Sequence, residues 1–180
     1  YTDASNYEID KFVIGNLSPL GVYATGRRDV TATNGSVFIA GRSNDQAGFS
    51  SVNVGQITAI GEDVRLYTRE GIYNASVTAS EMKQGNIHGH NLIAYGGTKD
   101  IGAQNKPLGV TLSGDLLEAY ADGSIYIKNM TGTDRLRVGS LFAKNLISLE
   151  SKPGFDMTTN PKYTLAYLNA GNVLELKTYL

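Results

Sequence analysis

The sequence predicts an all-β fold, a parallel β-helix (β-solenoid) in which successive coils of the chain stack on one another. Apolar and polar residues alternate over short runs, and glycine, asparagine and aspartate separate these runs. The pattern returns after about 29 residues, which indicates a repeat architecture. Three short strands per unit suit one β-helix coil, so the 180 residues are expected to form about six coils of roughly 24–34 residues.

The first strand of each unit carries two apolar residues separated by one residue. Six pairs recur, with first members 34, 28, 25, 30 and 27 residues apart: Val30 and Ala32, Val64 and Leu66, Leu92 and Ala94, Leu117 and Ala119, Ile147 and Leu149, Leu174 and Leu176. An Asp or Asn, typical of turns, stands one or two residues before each pair: Asp29, Asp63, Asn91, Asp115, Asn145 and Asn172. A one-residue slip reverses the two faces of a strand. The pattern therefore predicts where the strands lie better than it predicts which of their residues point inward.

A second strand follows a glycine in "NGSVFIA" (34–40), "EGIYNA" (70–75), "DGSIYIK" (122–128) and "PGFDMT" (153–158). A third precedes the first in "FVIG", "VNVG" and "LRVG", which end at Gly15, Gly55 and Gly139. Helical spacing is absent, and "SGDLLEAYA" (113–121) comes nearest to it. The residues predicted to be buried are Val30, Val64, Leu66, Leu117, Ile125, Ile127, Ile147 and Leu149.

Three aromatic residues are predicted to face outward. Alignment of "GSVFI", "GIYNA" and "GSIYI" places Val37, Ile72 and Ile125 inward, and hence Phe38, Tyr73 and Tyr126 outward. Phe38 and Tyr73 are expected in consecutive coils, within stacking distance, and Tyr126 two coils further on. Such rings either stabilise the coils as a ladder or form a flat strip that binds sugar rings or partner side chains. The ladder is the preferred interpretation, so no binding residue is assigned.

Composition argues against several functional classes. The net charge of −1 provides no field that would attract nucleic acid or an anionic membrane, and no apolar run is long enough to span a bilayer. Without cysteine there is no disulfide, Cys-type zinc site or thiol nucleophile. Phosphate-binding, nucleophile-elbow and calcium-repeat motifs are also missing.

Two histidines and scattered aspartates are the remaining candidates for chemistry. His88 and His90 in "NIHGHNL" could hold a metal ion or transfer protons, because residues i and i+2 of a strand point the same way. No third ligand is identifiable, and a solvated turn is the preferred interpretation. The aspartates stand mostly at turns rather than in the carboxylate pairs of glycan-cleaving enzymes. We therefore predict no catalytic, cofactor-binding or metal-binding residue, no cofactor and no enzymatic activity.

The segment "DGSIYIKNMTGTDRLRVGSLFAKNLISLESKPG" (122–154) resembles the repeat region of large secreted bacterial adhesins of the leukotoxin and filamentous-haemagglutinin type. The residues that match their pattern are Gly123, Ile125, Ile127, Val138, Gly139, Leu141, Ala143, Leu146 and Leu149, and again Val54, Gly55, Ile57, Ala59, Val64 and Leu66. The likeness extends over residues 22–152. It implies a right-handed β-helix outside the bacterial cell, exported by a partner transporter, and it implies no catalytic residue.

The function implied by this resemblance is that of a structural shaft segment of a cell-surface or secreted adhesin or toxin that attaches to host cells. The alternative is a β-helical carbohydrate-active enzyme or phage tailspike fragment, which a carboxylate cluster on one stacked face would favour. Residues 1–180 are expected to be a single segment excised from a longer chain, because no signal peptide precedes Tyr1. We expect the irregular ends (1–11 and 161–180) to cap the stack, or the chain to self-associate through its open edges.

Overall fold

The computed structural model describes residues 20–22, 26–41, 50–114, 116–157 and 167–178. These residues form an all-β fold in which parallel strands stack as a β-solenoid of about five turns with almost no helix. This confirms the predicted fold class. The strand predicted to end at Gly15, the turn residue Asp115 and the capping segment 1–11 lie outside the described residues.

Two long parallel sheets make up most of the solenoid. Sheet A stacks seven strands in the order β1 (Leu20–Val22), β3 (Val37–Gly41), β5 (Val64–Thr68), β8 (Leu92–Gly96), β10 (Leu117–Ala121), β13 (Ser140–Ala143) and β16 (Tyr167–Ala170). Sheet B stacks β2 (Arg27–Ala32), β4 (Val52–Ala59), β7 (Ile87–Gly89), β9 (Leu108–Leu112), β11 (Ile125–Asn129), β14 (Leu146–Glu150) and β17 (Val173–Lys177), and β6 (Ile72–Asn74) also pairs with β4. A small third sheet pairs β12 (Leu136–Arg137) with β15 (Phe155–Asp156).

The core consists of apolar columns that run from coil to coil. One column joins Ile72, Ile101 and Ile125 through parallel bridges and continues to Ile147 in β14. Each of these side chains is buried, because the alternation of a strand turns it inward and the coils on both sides cover it. The prediction of a buried position is confirmed for Val64, Leu66, Leu117, Ile125, Ile127, Ile147 and Leu149.

The prediction is wrong for Val30, which is only half-buried although it packs against the core. Its strand, β2, is the outermost described strand of sheet B and has a single described neighbour, β4. The pairing of these two strands is also irregular between Arg28 and Val30. Among the described strands, only β4 covers β2, so the inward direction of the Val30 side chain does not bury it completely.

The six apolar pairs do not belong to one repeated strand, as the alignment of the units assumed. The pairs that begin at Val64, Leu92 and Leu117 lie in sheet A, whereas those that begin at Val30, Ile147 and Leu174 lie in sheet B. In both sheets the strands bury alternate residues and begin after a turn, so strands of the two sheets have the same sequence pattern. The pattern therefore predicts a strand correctly without indicating the sheet to which it belongs.

One helix interrupts the described strands, α1 (Ala79–Gln84), which was not predicted from the sequence. Its signal is a capping box: the Thr78 side chain accepts a hydrogen bond from the Glu81 backbone N–H, and the Glu81 carboxylate accepts one from the Thr78 N–H. The nearest predicted helix candidate, residues 113–121, instead contains strand β10. In the described ranges no helix has the length and apolar character needed to cross a membrane.

Candidate functional site

The outer face of sheet A carries a stack of four aromatic rings, here called the aromatic ladder: Tyr67, Tyr95, Tyr120 and Phe142. Their strands pair without a register shift, so the four residues occupy equivalent positions in consecutive strands. The ring centroids are 5.1, 4.8 and 5.1 Å apart, and the interplanar angles are 18°, 4° and 8°. These distances follow from the spacing of adjacent strands, about 4.8 Å, so the backbone register itself brings the rings face to face.

The accessibility of the aromatic ladder changes along its length. Tyr67 and Tyr95 are only 3% and 4% exposed, whereas Tyr120 and Phe142 are half-buried. The Tyr120 hydroxyl donates a hydrogen bond to the Asp122 carboxylate at 2.9 Å. Because stacked rings cover each other's faces, a ligand would meet ring edges rather than the flat faces on which sugars stack.

A signal for this ladder was present in the sequence but was not recognised. Three of its rings directly follow the second apolar residue of an inward pair, in Leu66–Tyr67, Ala94–Tyr95 and Ala119–Tyr120. A residue next to an inward residue must point outward. The repeated aromatic residue at this position therefore predicts an outer stack once the three strands are known to share a sheet.

The predicted contact between Phe38 and Tyr73 is wrong. Phe38 lies in sheet A, where its partner in the next coil is Arg65, with the guanidinium carbon 5.1 Å from the ring centroid. Tyr73 lies in β6 of sheet B, opposite Asn53. The two residues follow glycine in similar sequences, but the glycines lie at different corners of the coil.

The predicted correspondence between Tyr73 and Tyr126, two coils apart, is confirmed. Ile72 and Ile125 share an inward column, with Ile101 between them, so the strand positions of Tyr73 and Tyr126 correspond, with Gly102 between them. The intervening coil therefore has no aromatic residue at this point, as expected. Phe38, Tyr73 and Tyr126 are half-buried rather than enclosed in the core, and burial raises the pKa of the Tyr73 hydroxyl above its usual value.

The two histidines, His88 and His90, differ in burial and in position relative to strand β7. His88 lies on the outer face of sheet B between Thr58 and Thr111 of the adjacent strands, and burial lowers the pKa of its imidazole. His90 is exposed beyond the end of β7, with Nδ1 3.3 Å from the Ser113 hydroxyl oxygen. Among the residues that the structure describes, no three His, Cys, Asp or Glu side chains come together as a metal site.

Several carboxylates are engaged in ion pairs. Arg27 binds both Asp29 and Glu81, with nitrogen–oxygen distances of 2.8 and 2.9 Å. Hydrogen bonds from Arg27 to Asp29, and from the Val77 backbone N–H and Arg27 to Glu81, lower the pKa of both carboxyl groups. A general acid for glycosidic cleavage requires the opposite shift, so this cluster is suited to holding β2 against α1.

A buried asparagine joins the coils at another corner. The Asn86 amide donates to the Val54 and Gly55 carbonyl oxygens at 3.1 and 3.0 Å, and its side-chain oxygen accepts from the Gly109 N–H at 3.0 Å. One side chain thus satisfies backbone groups of the preceding and the following coil, which is the usual condition for burying an amide. No role was predicted for this residue from the sequence.

No protein-family model, curated protein or solved structure matches the chain.

Proposed function

We propose that this chain is a structural shaft segment of a bacterial cell-surface or secreted adhesin or toxin that takes part in host-cell attachment. The observation that carries the proposal is the regular stacking of coils, with the aromatic ladder running along the outer face of sheet A. A solenoid lengthens by adding coils that contact only their neighbours, and a shaft requires this property. The resemblance of residues 122–154 to adhesin repeats supports the same proposal.

Side chains on the outside of the solenoid add contacts between coils. Lys128 in β11 forms an ion pair with Glu150 in β14, and Lys144 forms one with Asp122 at 2.8 Å. Each exposed pair contributes little, about 0–1 kcal/mol, but the pairs and rings act in parallel with the backbone ladder. Together they favour a rod over a set of loosely connected coils.

The proposal places the parent protein outside the cell, after export by a partner transporter. Its partner is a host-cell receptor, either protein or glycan, and attachment to this receptor requires no cofactor. In a shaft, the stacked rings of the aromatic ladder hold neighbouring coils together. The alternative, a carbohydrate-active enzyme or tailspike fragment, would need an acid and a base or nucleophile at a glycan-binding face.

The experiment measures attachment of beads coated with the purified chain to cultured host cells. We expect saturable attachment and no release of sugar fragments from host glycans. Replacement of Phe38, Tyr73 and Tyr126 by serine should lower the melting temperature and leave attachment unchanged. An Ile60→Ser variant, altered at an exposed turn, is the matched control.

Two results would contradict the proposal. Beads that attach no better than uncoated beads argue against an adhesive segment, and release of glycan fragments favours the enzyme. Loss of attachment in the triple variant at an unchanged melting temperature would instead identify Phe38, Tyr73 and Tyr126 as a binding surface.

A further inference from the structure

The last described coil has an exposed apolar edge. Val173, Leu174 and Leu176 are large apolar residues of β17, and each is about half-exposed. In the described part of the chain, β17 pairs only with β14, and β16 pairs only with β13. An edge that combines apolar side chains with unpaired backbone groups is a template for pairing with another strand.

The hydrogen-bond pattern shows which backbone groups face this edge. The Val173 N–H donates to the Asn145 carbonyl, and the Lys177 carbonyl accepts from the Ser151 N–H, both on the side of β14. Backbone groups of alternate residues point to the same side of a strand. The N–H and C=O groups of Leu174 and Leu176 therefore point to the open edge.

We propose that this edge pairs with β17 of a second copy of the chain, antiparallel and about a two-fold axis at Leu176. Antiparallel pairing places Leu176 opposite the partner's Leu176, in a pair that exchanges backbone hydrogen bonds. A two-fold axis normal to the sheet keeps the inward faces of both copies on one side. The two apolar cores then meet, and Leu174 and Leu176 lose their contact with water.

Charge selects this register. With the axis at Leu176, Glu175 lies opposite the partner's Lys177, and the same pair occurs twice by symmetry. With the axis at Glu175, the N–H and C=O groups of Leu174 and Leu176 also face the partner strand. In that register, however, Glu175 lies opposite the partner's Glu175, and directly opposed like charges destabilise a sheet. The first register is therefore favoured, and it produces a closed dimer rather than an open filament.

The test is sedimentation of the full chain over a range of concentrations, with two charge-reversal variants. Glu175→Lys leaves only positive charges at positions 175 and 177, and Lys177→Glu leaves only negative ones. In the proposed register each variant opposes like charges and should remain monomeric, whereas an equimolar mixture should form a heterodimer. The control, Glu118→Lys, makes the same charge change on sheet A, away from the edge, and should dimerise like the unmodified chain.

Each other outcome overturns the inference. An unmodified chain that is monomeric at every concentration contradicts dimerisation, and growth beyond the dimer identifies open head-to-tail stacking. Failure of the mixture to associate refutes the register, provided that circular dichroism and melting show both variants folded. Because the mixture restores contacts only between chains, its rescue does not arise from the Glu175–Lys177 contact within one chain.

Discussion

Ile147 and Leu149 are fully buried in β14, whereas Leu174 and Leu176, their partners in β17, are 49% and 45% exposed. The four residues are similar in size, point inward and occupy the same two columns. The difference is the coil that follows: β17 lies beyond β14, and no described strand lies beyond β17. Burial in this fold is therefore a property of neighbouring coils and not of the strand alone, as expected for a solenoid.

The largest expected effect is a charge in a covered column. Ile125→Asp places a carboxylate between Ile101 and Ile147 and should destabilise the fold by more than ~4 kcal/mol. Leu174→Asp places the same charge in the last described coil and should destabilise the monomer by only about 1 kcal/mol, because about half of the leucine side chain already contacts water. Urea unfolding measures both, and equal losses would contradict the dependence on neighbouring coils.

A smaller loss of stability is expected from substitution of an asparagine at a corner between strands. Asn86→Ala leaves the Val54 and Gly55 carbonyls and the Gly109 N–H without this partner, at a cost of about 1–3 kcal/mol. Asn172→Ala changes an exposed asparagine in the last described coil and should have an effect close to zero. Melting curves of the two variants provide the comparison, and a destabilised Asn172→Ala would argue against it.

The aromatic ladder allows the same comparison on the outer surface. Tyr95 stacks on Tyr67 and Tyr120, whereas Phe142 stacks on Tyr120 and lies beside Asn169 in the next strand. Tyr95→Leu removes two ring pairs and Phe142→Leu removes one, at about 0.5–1.5 kcal/mol per pair, and Tyr95 is also the more buried ring, so Tyr95→Leu should lower the free energy of unfolding at least twice as much. Denaturant titration measures the ratio, and equal effects would show that stacking is not the stabilising term.

The smallest effect is a pH dependence at His88. Burial lowers the pKa of the folded imidazole below its ordinary value of 6.5, so the folded chain binds fewer protons than the unfolded chain. The resulting stability is complete above about pH 6.5 and decreases as the pH falls through the lower folded pKa. We expect the melting temperature to fall less between about pH 7 and pH 5 in His88→Gln, and an unchanged slope would remove His88 as the cause.

Much of the fold was predictable because its requirements are local. A strand that buries one face needs alternating residues, and a corner needs a residue suited to a turn, so Val64, Leu117 and Ile147 are recognisable without a structure. The short helix was also encoded locally, in the capping box of Thr78 and Glu81. It was missed because its single short run is too brief to show a helical period.

The candidate sites were less predictable because they depend on which strands are neighbours. Phe38 and Tyr73 follow similar glycine-containing sequences but lie in different sheets, so their predicted contact does not exist. The aromatic ladder depends on the pairing of four strands that are distant in sequence. Neither fact follows from the local alternation.

Short parallel strands in stacked coils could be predicted from the amino-acid sequence, because burial of alternate residues and turns at the corners produce a local residue pattern. The sheet that each strand joins, the rings that stack and the inward residues that remain exposed depend on the pairing of strands that are distant in sequence. The reason is that both sheets impose the same alternation on the chain. Leu176 and Leu149 are therefore equivalent in the sequence pattern, and the presence or absence of a described next coil distinguishes them.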